Sequence, residues 1–131
     1  MTITITKLSP AKINLFLEVK NKRNDGYHDI QSLMTFCDFG DLLCVSKSND
    51  FRIKLEGPFS SSLINKENLI QKTVKKLEDL LQRKFNVEVV LKKNLPIASG
   101  MAGGSSNAAT FITLLRKLMC PIRKFRRPVE F

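Results

Sequence analysis

The sequence predicts an α+β fold, a mainly antiparallel sheet with helices packed on it, and three observations carry that reading. Up to Leu55 the chain is a succession of apolar or alternating runs punctuated by Gly, Asn and Asp. An apolar stripe of helical period then occupies Ile70 to Leu81. Finally, an alternating run at 86–93 leads through a glycine-containing loop into a second helical segment. Several strands, a helix, a strand, a loop and a helix, in that order, describe a layer of helices on a sheet.

The elements follow from local chemistry. Residues 1–7 alternate polar and apolar, without the continuous apolar core or small-residue cleavage site of a secretory leader, and read as a first strand. Ile13 to Lys20 is apolar and then alternating, a second strand signal. Asn24-Asp25-Gly26 is a turn, because Asn and Gly tolerate positive φ. Ile30 to Phe39 is extended, and Gly40-Asp41 marks another turn. Leu42 to Val45 and Phe51 to Leu55 form a further pair of short strands joined through Ser46 to Asp50. Gly57 to Ser62 is a loop. A helix near 68–85 carries Ile70, Val74, Leu77 and Leu81 on one face, widened by Leu80 and Phe85, with Asn65 as its N-cap. Asn86 to Lys93 is a strand, and Ser105 to Met119 a helix ended by Pro121. No repeat, low-complexity segment or interdomain linker interrupts the chain.

Composition narrows the function classes. The chain has 131 residues, 43% hydrophobic and 26% charged, which suits one domain with a real core. No stretch approaches the roughly 18 apolar residues of a membrane helix, so no membrane partner is expected. Cys37, Cys44 and Cys120 are odd in number and lack metal-ligand spacing, and there is one histidine. No metal site is expected; the cysteines read as reduced, partly buried thiols of a cytoplasmic protein. The net charge of +10 fits either nucleic acid or phosphate-bearing small molecules. The lysines are scattered, with pairs only at Lys75-Lys76 and Lys92-Lys93, and no basic run is interleaved with aromatics, so nucleic acid is not the expected partner. Residues 121–131 hold three of the seven arginines and one of the fifteen lysines, a change of usage that marks an atypical basic tail.

The segment Pro96 to Ser106 holds most of the chemistry. Gly100, Gly103 and Gly104 let backbone approach a ligand closely. Ser105 and Ser106 open a helix whose amides and dipole suit an anion, and the small residues Ala98, Ala102, Ala108 and Ala109 leave room for a triphosphate. A capped glycine turn with no ligand would use the same residues, and taken alone the two readings balance. The spacing is neither that of the common phosphate loop, since no lysine follows the glycines, nor that of the dinucleotide fingerprint. It resembles the phosphate loop of the galactokinase, homoserine kinase, mevalonate kinase and phosphomevalonate kinase (GHMP) superfamily, with Met101 where leucine is usual and Ala102 where glycine is usual. The resemblance implies ATP as co-substrate, Mg2+ with it, and an ATP-binding set of Pro96, Ile97, Ala98, Ser99, Gly100, Met101, Ala102, Gly103, Gly104, Ser105 and Ser106. It also implies the GHMP kinase N-terminal fold, which is akin to a ribosomal protein domain.

Ser9-Pro-Ala-Lys-Ile-Asn-Leu-Phe-Leu17 and Arg23-Asn-Asp-Gly-Tyr-His28 resemble one family within it, the 4-diphosphocytidyl-2-C-methyl-D-erythritol kinases of isoprenoid precursor synthesis. Cys37 to Asp41 and Glu67 to Ile70 are similar to that family too. The resemblance implies phosphorylation of the substrate's 2-hydroxyl, with Lys12 catalytic beside the transferred phosphoryl, where an ammonium positions and neutralises charge. It also implies Asn14 near the substrate, Tyr27 stacked on the cytosine and His28 bonded to its edge. Without it, Lys12 reads as a solvated lysine and Tyr27-His28 as the flank of a turn.

That family carries a later Gly-Ala-Asp-Val/Ile-Pro segment whose aspartate takes the hydroxyl proton, and these 131 residues contain none. The expected organisation is an incomplete ATP-binding domain over 1–120, the tail over 121–131, and no C-terminal domain. A frameshifted or decayed gene product, an incomplete sequence or a domain with a new role would each give this pattern, and the tail favours the first. Two alternatives to a working kinase therefore stand: a remnant that at most binds nucleotide, and a basic RNA-binding domain.

Overall fold

The structure, a computed structural model, describes residues 2–64, 66–101 and 103–120. The tail at 121–131, Ala102 of the loop and Asn65, the expected helix cap, lie outside the described residues. Strands β1 (Thr4–Lys22) and β2 (His28–Lys47) form one long antiparallel hairpin. It reverses at the predicted turn: Gly26 has φ +89°, and Tyr27 N donates to Asp25 Oδ1 at 3.1 Å. The two strand signals before residue 21 are thus one strand, with register shifts between Pro10 and Lys12, Asn14 and Phe16, and Val19 and Lys22.

Gly40-Asp41 is not a turn. Both residues lie inside β2, where Gly40 faces Pro10 across the hairpin. A Cβ on Gly40 would stand 2.0 Å from the Ser9 carbonyl oxygen. Glycine is there because two backbones meet, and that need looks like a turn signal in the sequence.

Strand pairing in the rest of the sheet also departs from the sequence expectation. β3 (Arg52–Glu56) does not pair with its sequence neighbour β2; β4 (Val87–Lys92) lies between them, antiparallel to β2 and parallel to β3, in the order β1-β2-β4-β3. Parallel neighbours need a long crossover, and helix α1 (Leu69–Leu81) supplies it. The α1 helix is shorter than predicted. Gln82 closes it in the left-handed conformation, and Phe85 buries itself beyond the end. Its N-cap is Asn68, whose side chain accepts from Gln71 N while Gln71 reaches back to Asn68 N, a reciprocal capping box.

Helix α2 (Gly103–Met119) lies over the same sheet face as α1. The core is Leu43, Val45, Val87, Val89 and Leu91 from the sheet against Ile70 and Val74 of α1 and Phe111, Leu114, Leu115 and Leu118 of α2. The far half of the hairpin runs past this core and leaves Leu15, Leu17, Val19, Ile30 and Leu33 exposed. Cys37 and Cys44 are half-buried, whereas Cys120 is exposed, contrary to expectation. No helix among the described residues is long and apolar enough to cross a membrane.

Candidate functional site

The alternation that makes β2 and β4 amphipathic also builds the floor of the site. Asp41, Leu43 and Val45 point inward from β2; Val87, Val89, Leu91 and then Lys93 point inward from β4 and its end. The inward rows thus finish in a carboxylate and an ammonium, both buried, with Lys93 Nζ donating to Asp41 Oδ2 at 2.6 Å. Asn107 Nδ2 donates to the same oxygen at 3.0 Å, and the amides of Asn94 and Leu95 donate to Asp41 Oδ1 at 2.7 and 2.8 Å.

Above this floor the chain leaves Leu95 and forms the glycine loop. Ala98 (φ +58°) and Gly100 (φ +74°) adopt left-handed backbone conformations, which aim the loop back toward β1. There Lys12 N donates to Met101 O at 3.0 Å. α2 then starts at Gly103, and Ser106 Oγ donates to the Pro10 carbonyl at 2.8 Å. The Ser9 hydroxyl donates to Asn107 Oδ1 at 2.7 Å. A cleft of about 560 Å³ opens between this loop, the start of α2, Lys12 and the start of α1.

Of the predicted ATP-binding residues, Pro96, Ile97, Ala98, Ser99, Gly100, Gly103, Gly104 and Ser105 line that cleft together with Lys12. Met101 and Ser106 do not; the Met101 carbonyl and the Ser106 hydroxyl are spent tying the loop to β1. Asn14 lies outside the cleft and accepts from Ser32 Oγ at 3.3 Å across the hairpin. Tyr27 and His28 sit at the hairpin's far end, Tyr27 74% exposed. Lys12 and Lys22 are ten residues apart on β1, about 33 Å of extended chain, so these two do not meet the glycine loop.

Sequence reasoning missed Asp41, Lys93, Asn94 and Asn107. Lys93 had a signal: it continues the 87, 89, 91 alternation, against the usual expectation that a lysine is solvated. It also missed Glu67, the one carboxylate lining the cleft among the described residues. A hydrogen bond from Lys75 holds the Glu67 carboxyl below its usual range, opposed by desolvation and assisted by the charges of Lys75 and Lys72. The described residues contain no group of three His, Cys, Asp or Glu arranged for a metal ion.

Comparison with known proteins agrees with this geometry. The family model described as the GHMP kinases N-terminal domain matches residues 68–125. The 4-diphosphocytidyl-2-C-methyl-D-erythritol kinase of Buchnera aphidicola is 42% identical over 119 residues, covering 86% of this chain and 42% of that protein. That of Pasteurella multocida is 44% identical over 109 residues, covering 83% and 37%. A crystal structure of a 4-(cytidine 5'-diphospho)-2C-methyl-D-erythritol kinase superposes with a TM-score of 0.69 at 31% identity over 87% of this chain and 40% of that one. Homoserine kinase from Cytophaga hutchinsonii shares the fold alone, with a TM-score of 0.63 at 15% identity over 92% of this chain and 37% of that one. The chain spans about two-fifths of the length of the relatives it matches. A fold, a glycine loop and an N-terminal sequence that all lead to one group place this chain in the GHMP kinase superfamily, similar over most of its length to the 4-diphosphocytidyl-2-C-methyl-D-erythritol kinases.

Proposed function

We propose that this domain takes the triphosphate of ATP at Pro96–Gly104 and the start of α2, and that it belongs to a small-molecule kinase that phosphorylates the 2-hydroxyl of 4-diphosphocytidyl-2-C-methyl-D-erythritol. The observation that carries the reading is the convergence of Lys12 with the glycine loop on one cleft, although Lys12 and Pro96 stand 84 positions apart in the chain. Phosphoryl transfer asks a protein mainly for positioning and for charge to meet the phosphoryl oxygens. The α2 N-terminus offers amides and a positive dipole end, and the Lys12 ammonium offers a mobile charge. Mg2+ would enter on the triphosphate, and the Ser99 and Ser105 hydroxyls, which line the cleft, would be available to its oxygen shell.

Asn14, Tyr27 and His28 have the chemistry for a cytidine diphosphate substrate, since an aromatic ring stacks on a pyrimidine and an imidazole bonds its edge. Their place on the hairpin, away from the loop, supports a substrate arm that reaches over from β1 and β2 rather than a contact inside the ATP cleft. A second reading has one observation in its favour. Glu67, the cleft's carboxylate, is held ionised by Lys75 and is a weak proton acceptor. These 131 residues alone then bind nucleotide without turnover.

Calorimetric titration with ATP, with adenosine as control, tests the proposal. ATP should bind more tightly than adenosine, and Lys12→Ala should narrow the difference without lowering Tm. Equal binding of both ligands, or none, would refute the nucleotide reading.

A further inference from the structure

Lys93 and Asn107 of the buried cluster reach the wall of the cleft, but Asp41 at its centre does not, and the cost of burying its carboxylate asks for a reason. An ion pair in an apolar core is commonly no more stabilising than a well-packed apolar pair. Its advantage is direction. The Asp41 carboxylate accepts from the amides of Asn94 and Leu95, where the loop begins, and from the side chain of Asn107, where the loop has passed into α2. Between those points lie Ala98 and Gly100 in left-handed conformations. Such backbone persists only where the surroundings over-determine it.

We propose that Asp41 is the positioning residue of the glycine loop: one carboxylate fastens the loop's entry and its exit, and Lys93 is the counter-ion that lets that carboxylate stay charged in the core. Asp41 does not line the cleft and acts only through the groups it holds, the Asn94 and Leu95 amides, the Asn107 side chain and Lys93. The contact between the loop and Lys93 is close. A Cβ on Gly103 would stand 3.0 Å from Lys93 Nζ and 3.6 Å from Asp41 Oδ2, so glycine there lets α2 settle on the pair. The inference rests on the reading that the loop holds nucleotide phosphate.

The test compares two double variants of the whole chain that share the same residue at 93. Asp41→Ser/Lys93→Met removes the charges and the acceptor for Asn94 and Leu95, and leaves room for water to solvate those amides. Asp41→Asn/Lys93→Met removes the charges but keeps an acceptor. Backbone 15N order parameters of Ile97 to Met101 should stay near ~0.8 in the wild type and the Asn variant, and fall below ~0.6 in the Ser variant, with β4 unchanged. ATP should bind the Ser variant at least ~10-fold more weakly than the Asn variant, with adenosine affected less than ~3-fold. Equal loop order in the two variants, or loosening of β4 together with the loop, would overturn the proposal, because Asp41 would then be an ordinary core residue. If the Ser variant does not fold, the Asn variant decides: an ordered loop supports the proposal and a disordered one overturns it. Failure of the wild type to take ATP would remove the nucleotide reading and leave the order-parameter comparison to judge the role of Asp41.

Discussion

Lys93 Nζ lies 2.6 Å from Asp41 Oδ2 and would lie 3.0 Å from a Cβ on Gly103. A glycine that sequence reasoning assigns to phosphate access therefore also makes room for a buried ion pair. Gly103→Val should lower stability by about 2 kcal/mol, because the branched side chain pushes on a pair that cannot move into solvent. A melting curve checks this, and a Tm equal to wild type would show that α2 can shift away from the pair freely. Loss of ATP binding in that variant would come with the stability loss and says little about phosphate contact by itself.

Lys12 gives a cleaner test of the cleft. Its backbone amide holds Met101 O, and any side chain keeps that bond. Lys12→Ala should leave Tm within about 1 °C and weaken ATP binding roughly 10-fold, the scale of one charge-assisted contact to phosphate. Equal ATP affinity in the two proteins would remove Lys12 from the phosphate site.

Turnover is predicted from the carboxylates. Asp25 and Asp29 lie at the hairpin's far end, Asp38 lies across the hairpin from Lys12 but outside the cleft's lining, and Glu67, the carboxylate that does line the cleft, is held ionised by Lys75 and is a weak general base. A general base is worth about 10²–10⁴ in rate. Release of ADP by these 131 residues with substrate present should stay below about 1 s⁻¹, under the usual enzyme range. A faster rate, abolished by Lys12→Ala, would show that one of these carboxylates reaches the hydroxyl after all.

Gly40 offers the sharpest stability prediction. Any Cβ there would meet the Ser9 carbonyl oxygen at 2.0 Å, backbone against backbone. Gly40→Ala should cost about 3 kcal/mol. Urea unfolding measures it, and a cost under ~1 kcal/mol would mean that the β1–β2 register at Pro10 yields easily.

Acid sensitivity should be visible at the end of α1. The Glu78 carboxylate accepts from Lys84 and from the Phe85 amide, and these bonds, the lysine's first, hold its pKa below 4.5. A folded-state pKa below the unfolded one adds stability above the ordinary carboxylate value, and that stability is lost as pH falls through the lowered one. Glu78→Gln should therefore cost about 0.5 kcal/mol at pH 7 and nothing at pH 2, given how exposed Lys84 is. A difference between the proteins that persists at pH 2 would assign the effect to packing instead.

Some of this molecule was plain in its residues. Ile70, Val74 and Leu77 of the helical stripe, the Asn24-Asp25-Gly26 reversal and the strand–glycine–helix run around Pro96 to Ser105 are local patterns, and each stands where its own period or turn chemistry put it, whereas Leu80 and Leu81, expected on the same face, are exposed at the helix end. The resemblance of residues 9–28 and 96–106 carried the superfamily and the roles expected of Lys12 and the loop.

Tertiary structure decided the rest, for one physical reason: pairing and close approach join residues far apart in sequence. The insertion of β4 between β2 and β3 is a choice among partners that alternation does not rank. Gly40 looks like a turn because the backbone that excludes its side chain is 31 residues earlier in the chain. Asp41 and Lys93 continue inward rows legible in each strand separately. Only the register that sets Leu43 against Leu91 places a carboxylate and an ammonium side by side, where each neutralises the other and lets the two enter the core.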